Sequence, residues 1–353
     1  MRQAIRLALR GKGRVSPNPM VGAVLVKHGR VLARGFHRKF GDPHAEVDCL
    51  RRVDGDLRDS TLYVNLEPCS HLGKTPPCVD LLLSRGVGTV VAAMKDPNPL
   101  VAGRGLEKLR RGGVHISVGV LEEEALALNY VFTKHITTRR PYIHVKIAQS
   151  RDGRISGGHT RWISSLQSRR RVHVLRAEFD AVLVGAGTVR VDNPSLSVRA
   201  VKGRDPDVVI LDGALSLSPR RTVFAPTGSR RVFLFTTKSA LRGKSATARE
   251  FAARGTTVIA LQANGGRLGL HQVMRELYKR NVASVLVEGG AHVFTQFLAE
   301  RLVDELTLFV SPNFFGNGLA AISSGTLLPM ARQVPERVAV GRSGRDLMLN
   351  VRF

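Results

Sequence analysis

A chain of 353 residues is too long for one ordinary core, and its 43% hydrophobic content supplies material for two. The formal net charge of +26 is spread over both halves, mostly as arginine, with no block of like charges and only 5% aromatic residues. It therefore reads as a solvated basic surface that attracts phosphorylated small molecules, not as a nucleic-acid-binding tract. Three cysteines in a chain this long do not make a disulfide framework, and no run of 18 or more apolar residues offers a membrane span, so the expected compartment is the cytoplasm.

Met1 to Arg14 is rich in arginine and lacks acids, as a transit peptide does. Ala4, Ile5, Ala8 and Leu9 nevertheless make one apolar helical face, and Pro17-Asn18-Pro19 follows at once, so a first helix of the fold is predicted. Val21 to Val26 and Val31 to Phe36 read as a hairpin turning at Gly29, and His44 to Leu50 as the start of a helix. Thr61 to Leu66 is a strand that delivers Glu67-Pro68-Cys69 to its C-terminal end. Cys78 to Leu83 opens a helix, Val87 to Ala93 is a buried strand, and a helix near Leu106 to Arg111 precedes a strand at Val114 to Val118. Cys69 and Cys78 are both expected at or near a helix start, where the dipole and unpaired amides favour thiolate. Cys49, beside Val47 and Leu50, is expected to be a buried thiol.

His44, Cys69 and Cys78 supply three zinc-type ligands, with Glu46 as a spare carboxylate two residues from the first. A structural zinc usually takes four protein ligands, whereas a catalytic zinc keeps one position for water. H-x-E followed by P-C is the signature of a zinc deaminase, in which metal-activated water attacks an amino-bearing ring carbon and a non-ligand Glu moves the protons. The competing reading is a core histidine with two reduced, buried cysteines.

Arg139-Arg140-Pro141 marks the boundary between residues 1–140 and 141–353. The second part alternates a strand at Tyr142 to Ala148, a helix at about Leu166 to Ala177, and strands at Ala181 to Val184, Val208 to Leu211 and Val232 to Phe235. A strand at Thr257 to Leu261, a helix at His271 to Arg280 and a strand at Val282 to Val287 follow, with a helix after Gly290. Leu306 to Val310 and Leu347 to Val351 are expected to close the sheet. Gly185-Ala186-Gly187 lacks the third glycine of a dinucleotide fingerprint. Glu288-Gly289-Gly290 instead ends a very apolar strand and opens a helix, where backbone amides can cradle a phosphate.

At this point the chain resembles a known family. Ser16-Pro17-Asn18-Pro19-Met20-Val21-Gly22, Pro43-His44-Ala45-Glu46, Leu66-Glu67-Pro68-Cys69-Ser70-His71, Gly73-Lys74-Thr75-Pro76-Pro77-Cys78 and Asp96-Pro97-Asn98-Pro99 are similar to the bifunctional deaminase-reductases of riboflavin biosynthesis. The likeness continues through Lys146, Ser150-Arg151-Asp152-Gly153, Trp162-Ile163, Leu175-Arg176-Ala177, Leu183-Val184-Gly185 and Glu288-Gly289-Gly290. Eight residues separate Cys69 from Cys78, where nucleoside and transfer-RNA deaminases usually have about two.

The resemblance implies an α/β architecture: a cytidine-deaminase-like three-layer α/β/α domain, then a dihydrofolate-reductase-like α/β domain. It implies zinc-dependent deamination of 2,5-diamino-6-(5-phosphoribosylamino)pyrimidin-4-one, followed by NADPH-dependent reduction of the ribosyl group to ribityl. Zinc would sit on His44, Cys69 and Cys78, with Glu46 as the proton shuttle, and Asn18, His71, Lys74 and Asn98 would orient the substrate. Ala148, Trp162, Thr188, Asp192 and Gly290, Ala291, His292, Val293, Phe294, Thr295 and Gln296 would surround NADPH. Lys146, Thr160, Arg176, Leu196, Arg199 and Glu288 would meet the second substrate. Arg176 and Arg199 suit that role physically, since guanidinium forks fit phosphate; the competing reading of Trp162 is a core residue. The implied partner is a phosphorylated pyrimidine, with no nucleic acid, no membrane and a homo-oligomeric state.

Three positions depart from the family pattern: Arg151 stands in place of a usual Leu, Asn193 of a second acid, and Ala23 of a frequent cysteine. Two rivals remain: a deaminase of nucleic acid or free nucleosides with an appended domain, and a zinc-stabilised binding protein.

Overall fold

The computed structural model describes every residue except 72–75, 100, 158–161, 226, 229 and 323–333. The chain divides into two compact units, Met1–Arg140 and Pro141–Phe353. Among the described residues no helix is long and apolar enough to cross a membrane.

The first unit runs α1 (Arg2–Ala8), β1 (Gly22–Lys27), β2 (Arg30–Phe36), α2 (Ala45–Leu50), β3 (Ser60–Val64), α3 (Cys78–Ser84), β4 (Thr89–Ala92), α4 (Arg104–Arg111), β5 (His115–Val118), α5 (Glu122–Leu128) and α6 (Tyr130–Thr138). Its five-stranded sheet has the order β2-β1-β3-β4-β5, antiparallel at β1 and parallel from β3 to β5. The hairpin turns through His28 and Gly29, both with positive φ (49° and 74°), the backbone that two-residue loops require. Helices cover both faces of this sheet. A Cβ on Gly22 would lie 2.1 Å from the Ala4 carbonyl of α1, and one on Gly35 would lie 2.4 Å from the Ala45 carbonyl of α2. Gly35 pairs with Ala23, the residue after Gly22, so the two glycines face opposite ways and the arrangement is three-layered. Between the layers lie Leu25, Leu62, Val64, Val90, Leu82 and Leu109, all buried.

The predicted first helix forms, but Ala4 and Ala8 are its buried residues and Leu9 is 48% exposed. The backbone tightens to a 3-10 turn at Leu9, which rotates that side chain off the buried stripe. Helices α5 and α6 were not anticipated. Asn129 at their junction explains their placement: its amide accepts from the Met20 N–H (2.8 Å) and donates to the Met20 carbonyl (3.0 Å), fastening the segment that follows Asn18.

The second unit runs β6 (Tyr142–Gln149), α7 (Leu166–Glu178), β7 (Ala181–Gly185), α8 (Ala186–Asp192), β8 (Asp207–Leu211), β9 (Val232–Thr237), α9 (Lys238–Gly243), α10 (Ser245–Ala253) and β10 (Thr256–Leu261). A small hairpin of β11 (Ala263–Asn264) and β12 (Arg267–Leu268) follows, then α11 (Leu270–Tyr278), β13 (Ser284–Val287), α12 (Ala291–Ala299), β14 (Glu305–Val310), β15 (Arg337–Ser343) and β16 (Asp346–Arg352). The nine-stranded sheet has the order β10-β9-β8-β7-β13-β6-β14-β16-β15, parallel from β10 to β14 and antiparallel at β16 and β15. Parallel strands covered on both faces read as continuous apolar runs, which is why Ala181–Val184 and Val285–Val287 are buried at every position. One face packs Leu183, Val285, Val287 and Phe235 against α11 and α12; the other packs Val182, Val184, Ile210 and Leu234 against α8 and α10.

The sheet does not close at Leu347–Val351: β15 lies outside it as the true edge strand. Val338 and Val340 on β15 are 53% and 67% exposed, so its apolar alternation faces no core and gave no period-2 burial signal.

Candidate functional site

His44 caps the N-terminus of α2 in an extended conformation, and Cys78 is the first residue of α3. Cys69 is not at a helix start, contrary to expectation; it lies in the non-helical segment beyond β3. A helix amide still reaches it, since the Cys78 N–H donates to Cys69 Sγ at 3.3 Å. Both sulfurs face one imidazole nitrogen: His44 Nδ1 is 3.5 Å from Cys69 Sγ and 3.3 Å from Cys78 Sγ, and the three ligand atoms lie within 4.8 Å of one another. Tetrahedral zinc with bonds of ~2.3 Å to sulfur and ~2.0 Å to nitrogen implies N···S separations of roughly 3.5 Å. The donor set therefore fits zinc in kind and in spacing, and it leaves a fourth position open.

The hydrogen bond from Cys78 pulls the Cys69 thiol down to about 4 against its own burial, aided by His44. The same shared proton drives Cys78 upward and the contact with Cys69 raises His44. Glu46, in the first turn of α2, is 3% exposed, and its Oε2 has no hydrogen-bond partner among the described residues. Burial pushes its carboxyl up to about 7, with the Cys69 charge adding and His44 opposing. A buried carboxyl near neutrality can both take and return a proton at physiological pH. Cys49 is fully buried, and burial drives its thiol up to about 12, so it is inert.

Asn18 is joined to this centre through a residue that the sequence reading missed. His37 is 2% exposed, and its ring packs edge-on to His44 at 5.5 Å. Its Nδ1 meets the Pro43 carbonyl at 3.1 Å, so Nδ1 carries the hydrogen and Nε2 accepts from Asn18 Nδ2 at 3.2 Å. The available signal was a second histidine seven residues before His44. His71 is exposed and within electrostatic reach of Asp96, whose neighbour but one, Asn98, is half-buried. Lys74 lies outside the described residues.

In the second unit the chain reverses direction across the sheet between β7 and β13: β7 leads outward to β8, and β13 leads the other way to β14. Such a switch point leaves a crevice at the strand C-termini. Helix α8 starts on one side of it and α12 on the other, and Thr188 Oγ1 bridges them by accepting the Gly290 N–H at 2.9 Å. A Cβ on Gly289 would lie 3.0 Å from the Gly185 nitrogen, whereas one on Gly187 would meet nothing within 4 Å. The absence of side chains at 187, 289 and 290 beside the first-turn amides of α12 fits a dinucleotide diphosphate.

Ala148 is half-buried near the end of β6, Asp192 is exposed at the end of α8, and His292 is exposed, while Val293 and Thr295 are half-buried. The segment from Gly290 to Gln296 is the cap and first turns of α12, the helix expected after Gly290. There Ala291 and Phe294 are buried, and Gln296 donates to the Leu268 carbonyl and to Glu300. Trp162 is not core: it is 49% exposed, with the Arg169 guanidinium 4.4 Å over its ring.

On the opposite wall Arg176 and Glu288 form a two-pronged pair, Nε–Oε1 2.6 Å and Nη2–Oε2 2.8 Å, with side chains 12% and 8% exposed. The Arg176 fork, expected to suit a phosphate, is turned onto this carboxylate and the Ser197 carbonyl, because a buried acid needs a partner. Burial lowers Lys146, which feels Glu288 and Arg176. Arg199 is exposed, with Nη1 3.3 Å from Ser195 Oγ. Leu196, between them in sequence, is buried with φ of 55°. His173, not anticipated, accepts the Arg199 N–H at Nδ1 (3.3 Å) and so holds that loop. Thr160 lies outside the described residues.

Two of the departures have structural explanations. Asn193 ends α8 in the left-handed region (φ 41°), where Asn is well tolerated, and its Oδ1 accepts the Thr222 N–H at 3.0 Å. Ala23 is fully buried under α2, opposite Gly35. Nothing in the structure explains Arg151.

Comparison with known proteins places both halves. Residues 1–94 match the cytidine and deoxycytidylate deaminase zinc-binding region, and residues 141–335 match the RibD C-terminal domain. The riboflavin biosynthesis protein RibD of Aquifex aeolicus is 40% identical over 99% of this chain and 96% of its own length, and that of Escherichia coli is 37% identical over 90% and 88%. Among solved structures, a Thermotoga maritima diaminohydroxyphosphoribosylaminopyrimidine deaminase/5-amino-6-(5-phosphoribosylamino)uracil reductase superposes with a TM-score of 0.86 at 41% identity, covering 100% of this chain and 97% of that one. Acinetobacter baumannii RibD gives 0.88 at 34% identity, over 99% and 97%.

Proposed function

The chain belongs to the RibD family of bifunctional riboflavin-biosynthesis enzymes, and from that premise we propose the division of labour among its residues. Residues 1–140 deaminate 2,5-diamino-6-(5-phosphoribosylamino)pyrimidin-4-one at its 2-amino group, and residues 141–353 reduce the ribosyl group of the product to ribityl. The observation that carries this reading is the set of three candidate ligands with Glu46 beside it, whose Oε2 has no hydrogen-bond partner among the described residues.

His44, Cys69 and Cys78 would hold zinc, which when bound would supply an activated water as nucleophile at neutral pH. Glu46 would take a proton at Oε2 from the attacking water and return it to the departing ammonia. Asn18 presents its amide to the substrate in the orientation set by His37. His71, Lys74 and Asn98 contact the base and the ribose phosphate.

In the second unit bound NADPH would supply the hydride for reduction at the ribosyl C1 carbon. The α12 first turn, Thr188, Asp192, Ala148 and Trp162 position the cofactor. Lys146, Thr160 and Glu288 hold the ribose and pyrimidine, Leu196 shapes the wall, and Arg199 meets the phosphate. Arg176 acts chiefly by fixing Glu288. Hydride transfer asks little acid–base help of a protein, so no general acid is assigned. The substrate is a small phosphorylated pyrimidine, and we place the protein among homo-oligomers without a nucleic-acid partner.

The test is Glu46→Gln, read by ammonia release and zinc content together. We expect zinc retained and ammonia release down by about 100-fold or more, the scale of one positioned acid–base group. Unimpaired turnover would remove Glu46 from the mechanism.

A further inference from the structure

A second carboxylate stands close to the metal ligands, in the same Glu67-Pro68-Cys69 run. Glu67 is 3% exposed. It is not a second proton shuttle, because both oxygens are already committed to backbone amides. Oε2 accepts from Asp96 N (3.1 Å) and Gly103 N (2.9 Å); Oε1 accepts from Gly105 N (2.9 Å) and, more weakly, from Leu106 N (3.4 Å). Gly103 is the N-cap position of α4, and Gly has no side chain with which to cap. Glu67 therefore serves as the cap of a helix whose N-cap position lies 36 residues later, and it places negative charge at the positive end of that helix. The fit is close: a Cβ on Gly105 would lie 2.2 Å from the Pro68 carbonyl.

The same carboxylate ties down the start of the loop that carries Asn98. Asp96 N is bound to Glu67, and Asp96 Oδ1 in turn accepts the Asn98 N–H at 2.9 Å. One side chain, two residues from the ligand Cys69, thus fixes both ends of the segment from Asp96 to Gly105.

We propose that Glu67 is a positioning residue for deamination: through its bonds to Asp96 N, Gly103 N and Gly105 N it holds Asn98 at a set place relative to the metal ligands, and so governs substrate affinity and not the chemical step. This rests on the reading of Asn98 as a substrate contact. Glutamine is the discriminating substitution, since it keeps the shape but swaps one acceptor oxygen for an NH₂ that faces amide donors.

The experiment uses the full-length, zinc-loaded chain with Glu67→Gln, Glu67→Asp, Asn98→Ala and the Glu67→Gln/Asn98→Ala pair. We expect Glu67→Gln to raise the deaminase KM by roughly ten- to a hundredfold, the range for losing charge-assisted hydrogen bonds, with kcat changed little. Zinc content, and NADPH oxidation assayed directly on the deaminated product, should stay at wild-type levels, and amide exchange of residues 96–106 should speed up. Glu67→Asp, which keeps the charge on a shorter arm, should fall between, and it carries the test if the glutamine variant does not fold. The pair should raise KM no more than the larger single effect. Unchanged exchange of 96–106, loss of zinc, or a fall in kcat at constant KM would each overturn the proposal. Faster exchange with an Asn98→Ala variant of normal KM would instead sink the role of Asn98 while leaving the tether in place, and with it the claim on affinity.

Discussion

The metal centre and the reductase cleft are built in opposite ways. The proposed ligands of the first come from one stretch of chain, His44 to Cys78: from a helix cap, the segment beyond a strand, and a helix start. The cleft gathers Lys146, Arg176, Arg199 and Glu288 from a strand, a helix, a loop and a second strand exit, and a buried ion pair holds it in shape. The contrast follows from the chemistry. A metal dictates its ligand types and separations, whereas a cofactor that brings its own hydride asks the protein for shape and charge. One site is consequently robust to its surroundings, and the other depends on a single pair.

The sharpest way to expose that dependence is Glu288→Gln. Removing one partner of a buried pair leaves an uncompensated charge, so the second unit should lose about 3–5 kcal/mol in denaturant titration, with the first unit unaffected. The pH dependence has a definite sign. Burial alone would raise the Glu288 carboxyl, but Arg176 and Lys146 outweigh it and hold it below the usual range. A carboxyl depressed in the folded state stabilises above the unfolded value of about 4.3, and that stabilisation disappears as pH falls through the lower folded value. Acid should therefore destabilise the wild-type second unit more steeply than that of the Gln variant. Equal acid slopes would break this part of the comparison.

Arg199→Ala should have a smaller and purely local effect. It should raise the reductase substrate KM by an amount corresponding to about 1.5–3 kcal/mol while ammonia release stays normal. Equal loss of both activities would mean that the residue supports folding. Smallest of all is Asn193→Asp, which restores the usual family acid. The new carboxylate can accept the same Thr222 N–H, so the NADPH KM should move by less than about 0.5 kcal/mol equivalent. A larger change would place Asn193 against the cofactor.

Legibility in the sequence follows the same division. The parallel strands of the second unit were readable because Val182 to Val184 and Val285 to Val287 must be apolar on both faces. Edge strand β15 was not, since its valines face outward. His44, Glu46, Cys69 and Cys78 are singled out by residue type and spacing alone, and the structure brings the three candidate ligands together. His37 and His173 were not, because each acts through a ring nitrogen accepting from a neighbour, Asn18 in one case and the Arg199 backbone in the other. Neither bond has a sequence period. Arg176 shows the limit of reasoning from residue type: its guanidinium suits a phosphate, yet a buried carboxylate 112 positions away claims it.

The most direct test of two separate chemistries in one chain is a paired assay on the diaminopyrimidine ribosyl phosphate, with and without NADPH, following ammonia and NADPH together. The account predicts equal ammonia release in both reactions and NADPH oxidation that begins only as deaminated product accumulates. NADPH consumption without prior ammonia release, or no ammonia from folded, zinc-loaded protein, would contradict it.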